Sequence, residues 1–307
     1  MPTSSFLTTR SGSRSKLVAL GRAVAYLALA LGGALFVSAL AKTLAGASLL
    51  ELAQGGAAAG TARAVLLLFG VVILPTAIVL WVFKEPFQLS AWRLGSAARL
   101  TAWGLVAGLS LIAAMAGVMW LFGAVTFGVA VPTMSAAVSS LMISAILWFT
   151  QAAGEEGLHR GYAFVQICRA ISFWPTAILS SAWFMYGHVG NEGETVLGII
   201  AAGLLGLALS YSLLKTGSLW FALGFHASWN FSQSFVFGFH NSGGKPPASL
   251  LSATVDGSPL LTGGTTGPEA SLLVLPALLV LLTIVHRVAV PSSERPGGPM
   301  PSAPTPG

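Results

Sequence analysis

Charge is what this chain lacks most. Of its 307 residues, 8% are Asp, Glu, Lys or Arg and 55% are hydrophobic, whereas a soluble domain carries about 25% charged residues. Mean hydropathy is +0.81. Such a chain cannot face water on every side, which excludes a soluble globular enzyme and predicts an all-α, polytopic membrane bundle in contact with lipid. Cysteine is nearly absent: Cys168 stands alone, which excludes a disulfide scaffold. There is no P-loop, dinucleotide fingerprint or CxxC pair, and no repeat of fixed period. The net charge of +6 comes from 15 Lys and Arg residues. They stand between apolar runs rather than in a patch or stripe, so no nucleic-acid partner is expected.

What is abundant is apolar sequence of bilayer length. A hydrocarbon core of about 30 Å needs roughly 20 apolar residues per helix. That window predicts eight spans: Ala23–Ala41, Ala64–Phe83, Thr101–Phe122, Ser135–Arg169, Pro175–His188, Thr195–Leu214, Leu219–Phe239 and Ala270–His286. The fourth is too long for one crossing and the fifth too short, so a long tilted helix beside a short one is expected. The first ends in Ala39-Leu40-Ala41, which resembles a signal cleavage site. At about 19 residues, however, it exceeds the usual 7–15 of a signal peptide and reads as a span.

Orientation follows from the cations. With the N-terminus inside, Arg10, Arg14, Lys16, Arg22, Lys84, Arg93, Arg99, Arg169, Lys215, Arg287 and Arg295 fall on the inner side. Lys42, Arg63 and Lys245 fall outside, and Arg160 lies within its helix. Both termini are therefore expected in the cytoplasm of a cell-membrane protein. The chain divides into a basic tail (1–22), N-terminal spans (23–134), a core of spans (135–239), an external Gly/Ser/Pro-rich loop (240–269), a last span (270–290) and a disordered tail (291–307). Gly104 and Gly108 form a GxxxG pair, and Ala202, Gly206 and Ser210 a small-residue stripe; both read as helix-packing surfaces.

Ionisable residues at bilayer depth carry the functional signal, because each costs free energy there. Glu155 and Glu156 sit in the fourth span, about 21 Å of helix from Arg169. Glu156 and Arg160, four apart, share a face and read as a structural clamp. Glu155 lies about 100° around the helix without that partner, and burial without a cation makes a carboxylate a better general base. His188 ends the fifth span, with Phe184 four residues earlier as a packing residue. His226 and Asn230 share one face of the seventh. One Glu and two His on three helices can deprotonate a water, directly or through a metal such as zinc held by Glu155, His188 and His226. His226 and Asn230 can donate to a developing oxyanion. The set suits amide hydrolysis of a peptide or protein substrate.

In order, Glu-Glu-x-x-x-Arg, Phe-x-x-x-His and His-x-x-x-Asn on successive apolar helices resemble the CAAX prenyl protease 2 and bacteriocin-processing (CPBP, or Abi) family of intramembrane proteases, over about Ser135 to Phe239. That resemblance implies a bundle of about eight spans around a polar cavity open to the cytoplasm. It assigns water activation to Glu155 and His188, oxyanion stabilisation to His226 and Asn230, and bracing to Glu156 and Arg160. It leaves open whether a divalent metal takes part. His159 departs from the Tyr common in eukaryotic relatives, so no role transfers to it. The Ala- and Gly-rich composition points to a bacterium, where prenylated substrates are generally absent. A second reading is a non-catalytic bacteriocin self-immunity protein or scaffold that binds peptides in the same cavity. A proton-coupled transporter is disfavoured, since no internal repeat is present.

Overall fold

The structure, a computed structural model, describes residues 13–131 and 133–288. The first twelve residues and the tail at 291–307 lie outside the described residues. Helix dominates, because in hydrocarbon every backbone N–H and C=O needs an internal partner. Helix α1 (Ser13–Ala45) takes in part of the expected basic tail. Short α2 (Leu49–Gln54) opens with a capping box of Ser48 and Glu51. Then α3 (Gly56–Leu67), a π-helical turn (Leu68–Ile73) and α4 (Leu74–Val82) run as one span.

Next come α5 (Ala97–Leu121), strand β1 (Val125–Val129), α6 (Met134–Arg160), α7 (Tyr162–Ile171), α8 (Phe173–Tyr186) and α9 (Val196–Thr216). Helix α10 (Trp220–Phe231) leads into a second π-helical turn (Ser232–Val236). Strand β2 (Leu251–Val255), short α11 (Pro259–Thr262) and α12 (Val274–Val288) complete the described chain.

Five stretches are long and apolar enough to cross a membrane: Ser15–Ala45, Gly56–Val82, Leu94–Leu121, Met134–Ile171 and Val196–Thr216. They take the places of the first four and the sixth expected spans. Shorter α8, α10 and α12 take those of the fifth, seventh and eighth. Large apolar side chains such as Leu31, Phe36, Trp81, Trp120 and Leu279 are exposed, as lipid-facing positions should be.

Two expectations need correction. The fourth span is two helices rather than one, because Gly161 (φ −82°, ψ −136°) breaks the backbone between α6 and α7. A Cβ at Gly161 would lie 2.1 Å from the Gly157 carbonyl oxygen. The loop at 240–269 is not featureless either: β2 pairs antiparallel with β1, Val125 opposite Val255 through Val129 opposite Leu251.

The small residues pack as expected. A Cβ on Gly104 would meet the Phe221 oxygen at 2.3 Å, and one on Gly108 the Phe225 oxygen at 2.5 Å. Reciprocally, a Cβ on Gly224 would meet the Thr101 oxygen at 2.3 Å. Helices α5 and α10 therefore touch backbone to backbone, which fixes the helix that carries His226 and Asn230. Gly104→Val should destabilise the protein by about 3 kcal/mol, the upper end of ordinary overpacking. An unchanged unfolding midpoint in detergent would contradict this contact.

Candidate active site

The site is built where α6, α8, α9 and α10 meet. Glu156 and Arg160, both 0% exposed, lie one helical turn apart near the end of α6. Arg160 Nη1 donates to both Glu156 oxygens, each at 2.8 Å. Its Nε donates to the Gly206 carbonyl and to Ser210 Oγ on α9, each at 3.3 Å. The guanidinium also lies over the Phe184 ring of α8, 5.2 Å from its centroid. The expected clamp is therefore present, but it joins three helices rather than bracing one. The small-residue stripe on α9 is its receiving surface as well as a packing face.

His226 is buried on α10, with Nδ1 2.9 Å from Glu156 Oε1 and Nε2 3.6 Å from Glu155 Oε2. Glu155 departs from expectation. Its side chain is 33% exposed, and its Oε1 accepts from Gln151 Nε2 at 3.1 Å. It is neither deeply buried nor without a partner; it faces a cavity. His188 sits just past the end of α8, its Nδ1 2.8 Å from the Phe184 carbonyl oxygen, so Nε2 is the nitrogen left for other work.

Phe184 is the hub of this arrangement. It is 4% exposed, and its ring lies 4.7 Å from that of His188, 6.1 Å from His226 and 5.2 Å from His159. His159 also packs 4.4 Å from Trp183. Its Nδ1 is buried with no hydrogen-bond partner among the described residues.

Glu155, His188, His226 and Asn230 all line one cavity of about 430 Å³, with His159 and Phe184 in its wall. Other polar residues there escaped the sequence reading, among them Gln151, Asn241, Glu269 and Glu194. Gln151 holds Glu155. Asn241 Nδ2 donates to Asn230 Oδ1 at 3.2 Å, which leaves the Asn230 amide N–H groups for a ligand. Glu269 accepts from the Ser242 backbone N–H at 2.6 Å and from Gln233. Burial, with a smaller contribution from Glu194, pushes its carboxyl up to about 7, against those hydrogen bonds. Glu194 itself lines the cavity near the N-terminus of α9. Only the i, i+4 spacing of Gln151 to Glu155 gave a signal; the others come from loops.

A divalent metal such as zinc takes three protein donors around one point. No group of three or more His, Cys, Asp or Glu side chains is close enough to hold one among the described residues. Of Glu155, His188 and His226, the first and last approach one another, His226 Nε2 lying 3.6 Å from Glu155 Oε2. As arranged, these residues do not fit a metal ion.

Residues 136–232 match the family model of the type II CAAX prenyl endopeptidases, Rce1-like. That segment is similar to an Rce1-like domain. The matched residues include the whole of α8 and α9, most of α6 and all of the sequence-expected site. This match supports intramembrane protease activity of the CAAX-protease type. No curated protein and no solved structure matches the chain.

Proposed function

We propose that the protein is an intramembrane endopeptidase whose Glu155 and His188 activate a water for attack on a peptide carbonyl. The observation that carries this reading is the convergence of Glu155, His188, His226 and Asn230, from three separate elements, on one cavity inside the bundle. A water between Glu155 and His188 Nε2 loses its proton to the Glu155 carboxylate as its oxygen bonds the carbonyl carbon. The oxyanion that forms accepts from Asn230 and from His226 Nε2. Donation by Nε2 needs a proton on both ring nitrogens. A carboxylate oxygen faces each of them, Glu156 Oε1 at 2.9 Å from Nδ1 and Glu155 Oε2 at 3.6 Å from Nε2. When the C–N bond breaks, Glu155 returns its proton to the leaving amine.

In this reading the protein lies in the cell membrane with both termini cytoplasmic, which the excess of Lys and Arg at that end supports. Purified protein incubated with membrane proteins in ¹⁸O-water should produce new C-terminal carboxylates carrying the label. No labelled termini would favour the non-catalytic, peptide-binding reading. Asn241→Ala removes a neutral hydrogen bond of about 0.5–1.5 kcal/mol, so kcat should fall several-fold with KM little changed. An unaltered kcat would show that Asn230 needs no such support.

A further inference from the structure

We propose that the catalytic cavity opens to the non-cytoplasmic side of the membrane, so that its substrate is a polypeptide segment presented at the outer surface. This rests on the reading of the cavity as the active site, and it reverses the access implied by family resemblance. An outer 240–269 loop and a cytoplasmic mouth cannot both hold, because Asn241, Ser242, Gly244 and Glu269 line the cavity.

The mouth is a built structure. Thr266 Oγ1 donates to the Gly193 carbonyl at 2.7 Å, and a Cβ on Gly243 would lie 1.9 Å from the Glu192 oxygen. The α8–α9 loop and the loop after α10 are thus joined around one opening, with Asn191 and Glu194 contributed by the first. From the outer end of α9, the lining residues Ala202 and Leu205 lie only about 10–15 Å down the helix.

The opposite direction is closed. Below Glu155 lie the fully buried Glu156–Arg160 clamp and then the apolar cluster of Phe164, Val165, Phe173, Ala177, Leu213 and Leu214. Beyond that cluster is the cationic end of the bundle. There Glu85 pairs with Arg22 at 2.6 Å and with Arg169 at 3.2 Å, and Ser218 Oγ donates to the Arg93 carbonyl. Lys84 and Lys215 stand at the same end. The positive-inside rule puts this end in the cytoplasm, and the cavity mouth is at the other.

Cysteine labelling tests the proposal, since Cys168 is the only native thiol. In a Cys168→Ser background, single replacements Asn191→Cys and Lys245→Cys mark the mouth. Gly95→Cys, exposed with open space around it, marks the other end. With a membrane-impermeant maleimide, spheroplasts should label Asn191→Cys and Lys245→Cys as fully as lysed membranes do, and leave Gly95→Cys unlabelled until lysis. The reverse pattern, or mouth cysteines labelled only after lysis, overturns the proposal. Labelling reads orientation whether or not the protein cleaves anything. Loss of the catalytic reading would therefore appear separately, as cleavage that persists in Glu155→Ala. New termini that depend on the wild-type protein should also lie in outer segments of their parent proteins; termini confined to cytoplasmic segments contradict it.

Discussion

Glu155→Ala is expected to lower the rate of peptide-bond hydrolysis by at least a hundredfold while leaving the protein inserted and folded. A positioned general base contributes about 10²–10⁴ in rate, and Glu155 is the cavity carboxylate that stands beside His226, 3.6 Å from its Nε2. Glu156 is committed to Arg160 and His226. The structural cost is small, because Glu155 is partly exposed and its hydrogen bond is with Gln151, a contact of about 1 kcal/mol. Turnover of an identified substrate and the unfolding midpoint in detergent should therefore separate cleanly. A variant that loses activity and melts far below the wild type would place Glu155 in the structural clamp instead.

The second large effect is the converse. Glu156→Ala should destabilise the protein by about 3–5 kcal/mol, because it leaves the Arg160 guanidinium buried without its counter-ion. The carbonyl of Gly206, the hydroxyl of Ser210 and the face of Phe184 remain, but none carries a formal charge. His226 loses the acceptor on Nδ1 at the same time, so activity should fall with stability. The paired replacement Glu156→Gln with Arg160→Met removes both charges and should recover most of the loss. Thermal unfolding of the single and paired variants checks this. A single variant within about 1 kcal/mol of wild type, the range of an exposed ion pair, would mean that water reaches Arg160.

Much of this was legible in the sequence, for identifiable reasons. Lipid leaves the backbone no choice but helix, so the apolar runs located the spans. Glu155, His188, His226 and Asn230 stood out because polar groups at bilayer depth are costly. Gly104 and Gly108 marked a close helix contact because only small residues allow such approach; which helix they meet, α10, comes from the structure.

What stayed hidden depended on long-range placement. The break at Gly161 has a stop signal, a glycine after His159 and Arg160, but the apolar sequence that resumes at once hides it in a continuous span. Leu251–Val255 sits in a stretch whose Gly, Ser and Pro content reads as loop, yet it finds a partner strand more than a hundred residues earlier. Asn241 and Glu269 belong to that same stretch, and nothing local shows that it folds back over the cavity. The contact of His226 with Glu156 spans 70 positions, which gives the clamp a role at the reacting centre that the i, i+4 spacing alone could not suggest.

The most direct test of the central claim compares new peptide N-termini in membranes of cells carrying the wild type and Glu155→Ala at matched expression. The account predicts a set of termini that appears only with the wild type and vanishes in the variant. An identical set in both, with both proteins folded and inserted, would contradict a catalytic role for Glu155.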